Sequence, residues 1–475
     1  MRYLPVALLS CALAACGGHS EETTLPASVS LADVELIPRE LLFGNPERAN
    51  VQISPDGRYL SWVAAVGGVL NVWVAPADDV GAGRPVTTDD GRGIRQYFWS
   101  YRPDTLLYLR DTGGDENFHV HALDVATGES RDLTPYPDVR GIVYGLSHLH
   151  PEAVLIGMND RDARWHDLYR VDLASGERTL VERNTQQIGS YLTDADFRVR
   201  LAVRARPDGG QDVLQRDGRG GWVVREKVPF EDYLTTRYQG FTTDGALAYM
   251  LDSRGRNTVA LYSVHLESSE KTLVFEDMRA DVSNLLAHPR TGQVQAVASN
   301  YLREEWKVLD PSIAADLARL DEIGPGVASV TARTLDDSTW IVTYSAAETP
   351  AVYYRYDRSD SGGELTRLFP SRPALEGKPL VPQWPQEITA RDGLTLVSYL
   401  TLPPHADPER DGQPNEPAPM VLYVHGGPWS RDHYGWDGTV QWLANRGYAV
   451  LSVNYRGSTG FGQEFGNRSN RERAG

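Results

Sequence analysis

Ser54-Pro55-Asp56-Gly57 followed by Tyr59-Leu60-Ser61-Trp62-Val63 couples a turn to an alternating apolar run, and this coupling returns through the long middle of the chain. The later turns are Arg102-Pro103-Asp104, His150-Pro151-Glu152, Thr193-Asp194, Thr243-Asp244-Gly245, His288-Pro289-Arg290 and Leu335-Asp336-Asp337. Taken at positions 56, 104, 151, 194, 244, 290 and 336, they lie 48, 47, 43, 50, 46 and 46 residues apart. Most lead into a run such as Leu106-Leu107-Tyr108-Leu109, the pattern of a strand buried on at least one face. A second hairpin recurs later in the unit: Val120 to Asp124 before Ala126-Thr127-Gly128-Glu129, Leu168 to Asp172 before Ala174-Ser175-Gly176-Glu177, and Leu261 to His265 before Glu267-Ser268-Ser269-Glu270. Four short strands per unit at this period are the signature of propeller blades, which cover their faces with their neighbours. The sequence therefore predicts a mainly β chain with a seven-bladed β-propeller over 51–375. Separate small sandwiches would need linkers and individual cores that the sequence does not contain.

Composition agrees with this reading. A chain of 475 residues exceeds one core, at roughly 150 residues per domain. It is 41% hydrophobic and 23% charged, as soluble globular proteins are, and Tyr (23) and Trp (11) outweigh Phe (10), which favours strands. With 64 acidic against 47 basic residues the formal charge is −17, which repels phosphate backbones, so nucleic acid is not an expected partner.

After residue 375 the pattern changes. Pro382, Trp384 and Pro385 mark a linker, and Glu387 to Leu400 reads as a hairpin turning at Asp392-Gly393. A Pro-rich acidic loop (403–419) precedes an apolar run from Met420 to Val424, expected to be a buried strand. A Gly-rich turn, a helical segment from Gly438 to Arg446 and a second buried strand, Ala449 to Val453, complete a parallel βαβ unit.

Four motifs then coincide in order: IPRELLFGNPER (37–48), RDGLTLVSYLTLP (391–403), HGGPWSRD (425–432) and NYRGSTGFG (454–462). Together they resemble the prolyl oligopeptidase family of serine peptidases, in particular its dipeptidyl aminopeptidase and acylaminoacyl-peptidase branch. The resemblance runs from Ile37 to the end and implies a propeller followed by the N-terminal part of an α/β-hydrolase domain (376–475). It further implies cleavage of short peptides through an acyl-enzyme, without a cofactor. By motif, Gly427 offers an oxyanion-hole backbone N–H, since paired glycines let amides approach a substrate oxygen unhindered. A tight strand-end turn without catalytic duty is the alternative. His425 is read as structural, because the catalytic His of hydrolases follows Ser and acid in the chain. Arg431, Asp432 and Arg456 are read as loop-fixing ion-pair residues.

No G-x-S-x-G occurs in these 475 residues, and the acid and His of a triad follow the nucleophile in hydrolase order. The end also departs from the family, with Arg473 where relatives carry Trp. The expectation is a fragment or truncated product lacking Ser, Asp and His, inactive as it stands. The alternative is a non-catalytic, lipid-anchored propeller that binds a peptide or protein partner; an esterase on the same fold would leave the seven-bladed cap unexplained.

Other candidates are weaker. Asp115 and Glu116, in RDTGGDENFHVH, could pair with a peptide's free amine, although such loops are more often solvated turns. His119 and His121, like His148 and His150, share a strand face without a third ligand, so no metal site is expected.

Both cysteines, Cys11 and Cys16, lie in the first sixteen residues. Arg2 and the apolar run from Leu4 to Ala15 read as a signal peptide (1–16), and Leu13-Ala14-Ala15-Cys16 resembles the bacterial lipoprotein cleavage box. Residues 17–33 would be a flexible tether and 34–50 a segment before the propeller. Lipidation of Cys16 and a place in the bacterial cell envelope, membrane-anchored and facing the periplasm with the outer membrane favoured, are the expectations.

Overall fold

The computed structural model describes residues 30–359, 362–427 and 429–470; Cys16, most of the expected tether and Arg473 lie outside these. Seven antiparallel sheets follow one another from Ala49 to Pro370, each built from consecutive strands. The first is typical: Ala49–Ile53, Tyr59–Val66, Val69–Pro76 and the short Arg84–Pro85.

Every turn of the repeating motif joins the first strand of a sheet to its second. The reason is local chemistry. In the first, fifth and seventh sheets a hydroxyl donates to the Asp two residues on, at 2.6 Å in each case (Ser54 to Asp56, Thr242 to Asp244, Thr334 to Asp336). The same hydroxyl accepts the backbone N–H of Tyr59, Leu247 or Thr339, at 3.0–3.1 Å. Six of the seven turns pass through a left-handed residue: Gly57, Gly245 and Gly292 where glycine is present, but Asp104, Asp337 and Phe197 elsewhere. Phe197, at φ +63°, meets the cost of about 1–2 kcal/mol for that conformation by burial. Its ring is 5% exposed, packed with Ala153, Leu155 and Leu168 of the preceding sheet and 5.2 Å from the His150 ring.

The sixth unit departs from four strands. After Val282–Ala287, Val294–Asn300 and Glu304–Val308 the chain enters helix α1 (Ala314–Asp321). Pro311, with Asp310 capping Ser312 N at 3.0 Å, starts a 3₁₀ turn that leads into an Ala- and Leu-rich stretch, whose helix propensity outweighs the repeat. Asp316 of α1 accepts from Tyr356 Oη at 2.8 Å and pairs with Arg358, tying the helix to the seventh sheet.

The ring closes by packing, because the first and seventh sheets share no strand. Val51, Ile53, Leu60 and Trp62 meet Ile341, Tyr353 and Phe369 in one core. Leu335 N donates to Pro55 O (2.8 Å) and Arg355 Nη1 to Ala77 O (3.1 Å) across the seam.

An eighth sheet follows the linker, with strand order Gln383–Thr389, Thr395–Thr401, Ala449–Val453, Met420–Tyr423. The first two form the hairpin at Asp392-Gly393, and the last two run parallel around helix α2 (Gly438–Ala444), N-capped by Asp437. The run from Met420 to Val424 is not the buried strand expected: Met420 is 57%, Leu422 61% and Val424 53% exposed. The strand pairs on one side only, and no layer among the described residues covers its outward positions. The start of the N-terminal segment packs here, while Asn45 and Arg48 reach the propeller. Ile37 and Leu42 join Leu375, Leu380, Trp436 and Trp442, while Asn445 accepts from Ile37 N and donates to Glu35 O, both at 2.8 Å. The end of the expected tether, Leu31–Asp33, forms a 3₁₀ turn capped by Ser30.

Phe197 generates a stability prediction. Phe197→Ala removes the buried ring while keeping the strained backbone and lowers stability by about 3 kcal/mol or more. Phe197→Gly recovers about 1 kcal/mol of that loss through the relaxed φ. Equilibrium denaturation of both variants checks the order, and equal stabilities would show that the backbone carries no strain.

Candidate active site

Because Met420–Tyr423 and Ala449–Val453 are parallel, the loops that follow them emerge side by side at their carboxyl ends, where open α/β sheets bind ligands. Motifs thirty residues apart thus form one site. The His425 ring stacks on Tyr455 (centroids 4.5 Å apart, 16° between planes), and its Nε2 lies 2.8 Å from Ser458 Oγ. Tyr455 Oη donates to His425 O at 2.9 Å. Asn454 accepts from Asp432 N at 2.8 Å and donates to Asp432 O at 3.2 Å, and Thr459 N donates to Ser430 O at 2.9 Å. These contacts fix the ends of a loop whose middle, around Gly427, is exposed.

Gly427 has φ +146°, and a Cβ there would lie 2.8 Å from Trp429 N. Only glycine fits without displacing the backbone, and its exposed amide can donate to a ligand oxygen. His425 is engaged by Tyr455 and Ser458, as a ring that orders the loop.

The ion-pair expectation divides. Arg456 pairs with Asp392 at 3.0 Å. Arg431 and Asp432 form no salt bridge among the described residues, which corrects the reading of both. Arg431 instead reaches the propeller, donating to Asn300 O (2.6 Å) and Tyr301 O (3.2 Å), with its guanidinium 4.2 Å from the Phe461 ring centre. Backbone carbonyls on the sixth unit are acceptors that no motif reveals. Burial holds Arg431 below its usual pKa and raises the Asp432 carboxyl, whose Oδ2 has no hydrogen-bond partner. His433 is pushed down to about 4 by desolvation, with the nearby cation of Arg431 adding to the effect, so it is neutral at pH 7.

Successive strands of a blade run in opposite directions, so the loops joining second to third strands all open on one face. The eighth sheet docks on that face. Gln463 Nε2 donates to Arg256 O at 2.6 Å, Gln441 Nε2 to Ala347 O at 3.0 Å and Asn467 Nδ2 to Glu231 O at 2.9 Å. Asp115 and Glu116 lie on the equivalent loop of the second sheet and open on the same face, but no hydrogen bond or ion pair among the described residues joins them to the 425–433 or 454–462 loops. Asp115 Oδ1 accepts from Thr112 N (3.2 Å) and Asn117 N (3.1 Å), and Glu116 sits at φ +59°. The histidines of that region are occupied: His119 Nδ1 lies 2.7 Å from Asp132, and His121 stacks on Tyr108 with centroids 4.8 Å apart. No group of three or more His, Cys, Asp or Glu placed to hold a metal ion occurs among the described residues. Asn454 and Ser458 lie within one of the four motifs, whereas Asn300 of the propeller carries no local signal.

Residues 434–475 match the prolyl oligopeptidase family. The chain is 63% identical over 449 residues to dipeptidyl aminopeptidase BIII of Pseudoxanthomonas mexicana, covering 94% of this chain and 65% of that protein. It is 32% identical over 471 residues to dipeptidyl peptidase family member 6 of Caenorhabditis elegans, covering 92% of this chain and 63% of that one. The chain thus spans just under two thirds of the length of both. Among solved structures, a puromycin-hydrolyzing peptidase of Mycobacterium tuberculosis superposes with a TM-score of 0.62 at 17% identity, over 93% of this chain and 70% of that one. A prolyl endopeptidase superposes with a TM-score of 0.66 at 14% identity, over 92% and 66%. These two share the fold. The match of residues 434–475 and the two sequence relatives, with the ordered motifs, tie the chain to the prolyl oligopeptidase family of serine peptidases.

Proposed function

We propose that these residues form the propeller and the oxyanion side of a peptidase that cleaves short peptides through an acyl-enzyme, in the manner of a dipeptidyl or acylaminoacyl peptidase. The observation that carries this reading is the exposed Gly427 turn, held by Tyr455 and Asn454 at the carboxyl end of a parallel strand pair. The amide of Gly427 donates to the carbonyl oxygen as it becomes an oxyanion, and the propeller limits the substrates that reach it to short ones. Acylation needs a nucleophile activated by a base, and no G-x-S-x-G serine exists among these 475 residues. The reading therefore assigns binding and oxyanion stabilisation to this chain and the triad to sequence beyond it. Cys16, with its lipoprotein-like cleavage box, would place the protein on a membrane facing the periplasm.

The 475-residue chain is expected neither to hydrolyse dipeptidyl or acylaminoacyl anilides nor to label with a fluorophosphonate. A chain completed with the remaining residues of the Pseudoxanthomonas mexicana relative should do both. Stoichiometric labelling of the short chain would show an activated serine within it, and a silent completed chain with an intact triad would favour the binding-module reading. In the active completed chain, Gly427→Val lowers kcat by about 10²-fold or more, and an unchanged kcat would reduce that glycine to a turn. Mass analysis of the processed N-terminus should find a lipid-modified Cys16; an unmodified terminus elsewhere rules out the anchor.

A further inference from the structure

A cavity of about 290 Å³ lies between the propeller and the eighth sheet, at the lower end of the range for small-ligand sites. Arg237 and Arg431 both line it. Arg237 opens the first strand of the fifth unit, Arg237–Phe241, and is exposed within the cavity. In a protein of net charge −17 this guanidinium forms no salt bridge among the described residues. Its partners are neutral. Nη1 donates to Leu234 O at 3.2 Å, and with the Gln239 amide turned so that its oxygen faces the guanidinium, Nε (3.0 Å) and Nη2 (3.2 Å) share that oxygen. These bonds hold the guanidinium plane and leave two of its five N–H groups, one on each terminal nitrogen, which is the fork that matches a carboxylate.

Glu231 also lines the cavity, as does Asp281, which lies within the field of both arginines but forms no salt bridge with either among the described residues. Asp281 Oδ1 accepts from Val259 N at 2.8 Å, and the amides of Gly460 and Gly462 also face the carboxylate. Arg431 is likewise held by neutral acceptors, Asn300 O, Tyr301 O and Tyr399 Oη, and forms no salt bridge among the described residues.

We propose that this cavity is a carboxylate subsite in which Arg237, supported by the field of Arg431, binds the C-terminal carboxylate of a short peptide. The proposal rests on the peptidase reading for the identity of the ligand, and on Arg237 alone for the site. A guanidinium fixed at one end of the chamber would favour peptides short enough to reach from the subsite to the Gly427 turn.

Binding to the 475-residue protein, without turnover, is the test. Isothermal titration with trialanine and with its C-terminal amide should show the free acid binding about tenfold or more tightly. Arg237→Gln should abolish the difference and Arg237→Lys should retain part of it, while circular dichroism confirms that both variants fold. Equal affinity for acid and amide, an unaffected Arg237→Gln variant, or no binding of either peptide at millimolar concentration would overturn the proposal. Acid-selective binding with an inactive completed chain would sink the peptidase reading and leave the site standing. An active completed chain that binds acid and amide alike would do the reverse.

Discussion

Closure of the ring on itself is the constraint from which the remaining architecture follows. Seven sheets share no strand between first and last, so the seam must be held by side chains: Trp62, Ile341, Tyr353 and Phe369 at its centre, with a few backbone acceptors at its edges. Closure fixes the direction of every strand. That in turn sends the second-to-third loops of all seven units to one face, which is the face that meets the eighth sheet.

The contact between the two bodies has a consistent chemistry. Arg431, Gln441, Gln463 and Asn467 all donate to main-chain carbonyls of the propeller. These four contacts depend on backbone position more than on the side chains opposite, whereas Arg410 with Glu348 and Tyr301 with Glu387 pair side chains across the same boundary. The interface also places Arg431 within four residues of Gly427, so the Gly427 turn is braced from the propeller as well as from its own sheet.

Much of the fold was legible because its signals are local. The Ser/Thr-to-Asp hydrogen bonds of the repeating turns, the Asp-Gly hairpin and the Asp437 cap are each decided within a few residues. What could not be read depends on partners distant in sequence. Helix α1 replaces a strand because Pro311 and its alanines override the repeat; Met420 and Leu422 look like core residues until the lack of a covering layer is seen. Of the site, the Gly427 turn was legible from its glycines. An arginine beside an aspartate suggests an ion pair, whereas the nearest acceptor of Arg431 is Asn300 O, 131 residues away. Arg237 gives no signal at all within an ordinary strand.

The packing of Ile37 and Leu42 beside Leu375 and Leu380 means that the chain crosses between the two bodies twice, at neighbouring places. Two adjacent crossings act as the paired pins of a door. They permit rotation about the line that joins them and resist sliding or twisting. Separation of the bodies about these crossings would be widest at the rim opposite the seam, and the carbonyl-directed contacts of Arg431 and Gln463 are among those it would break.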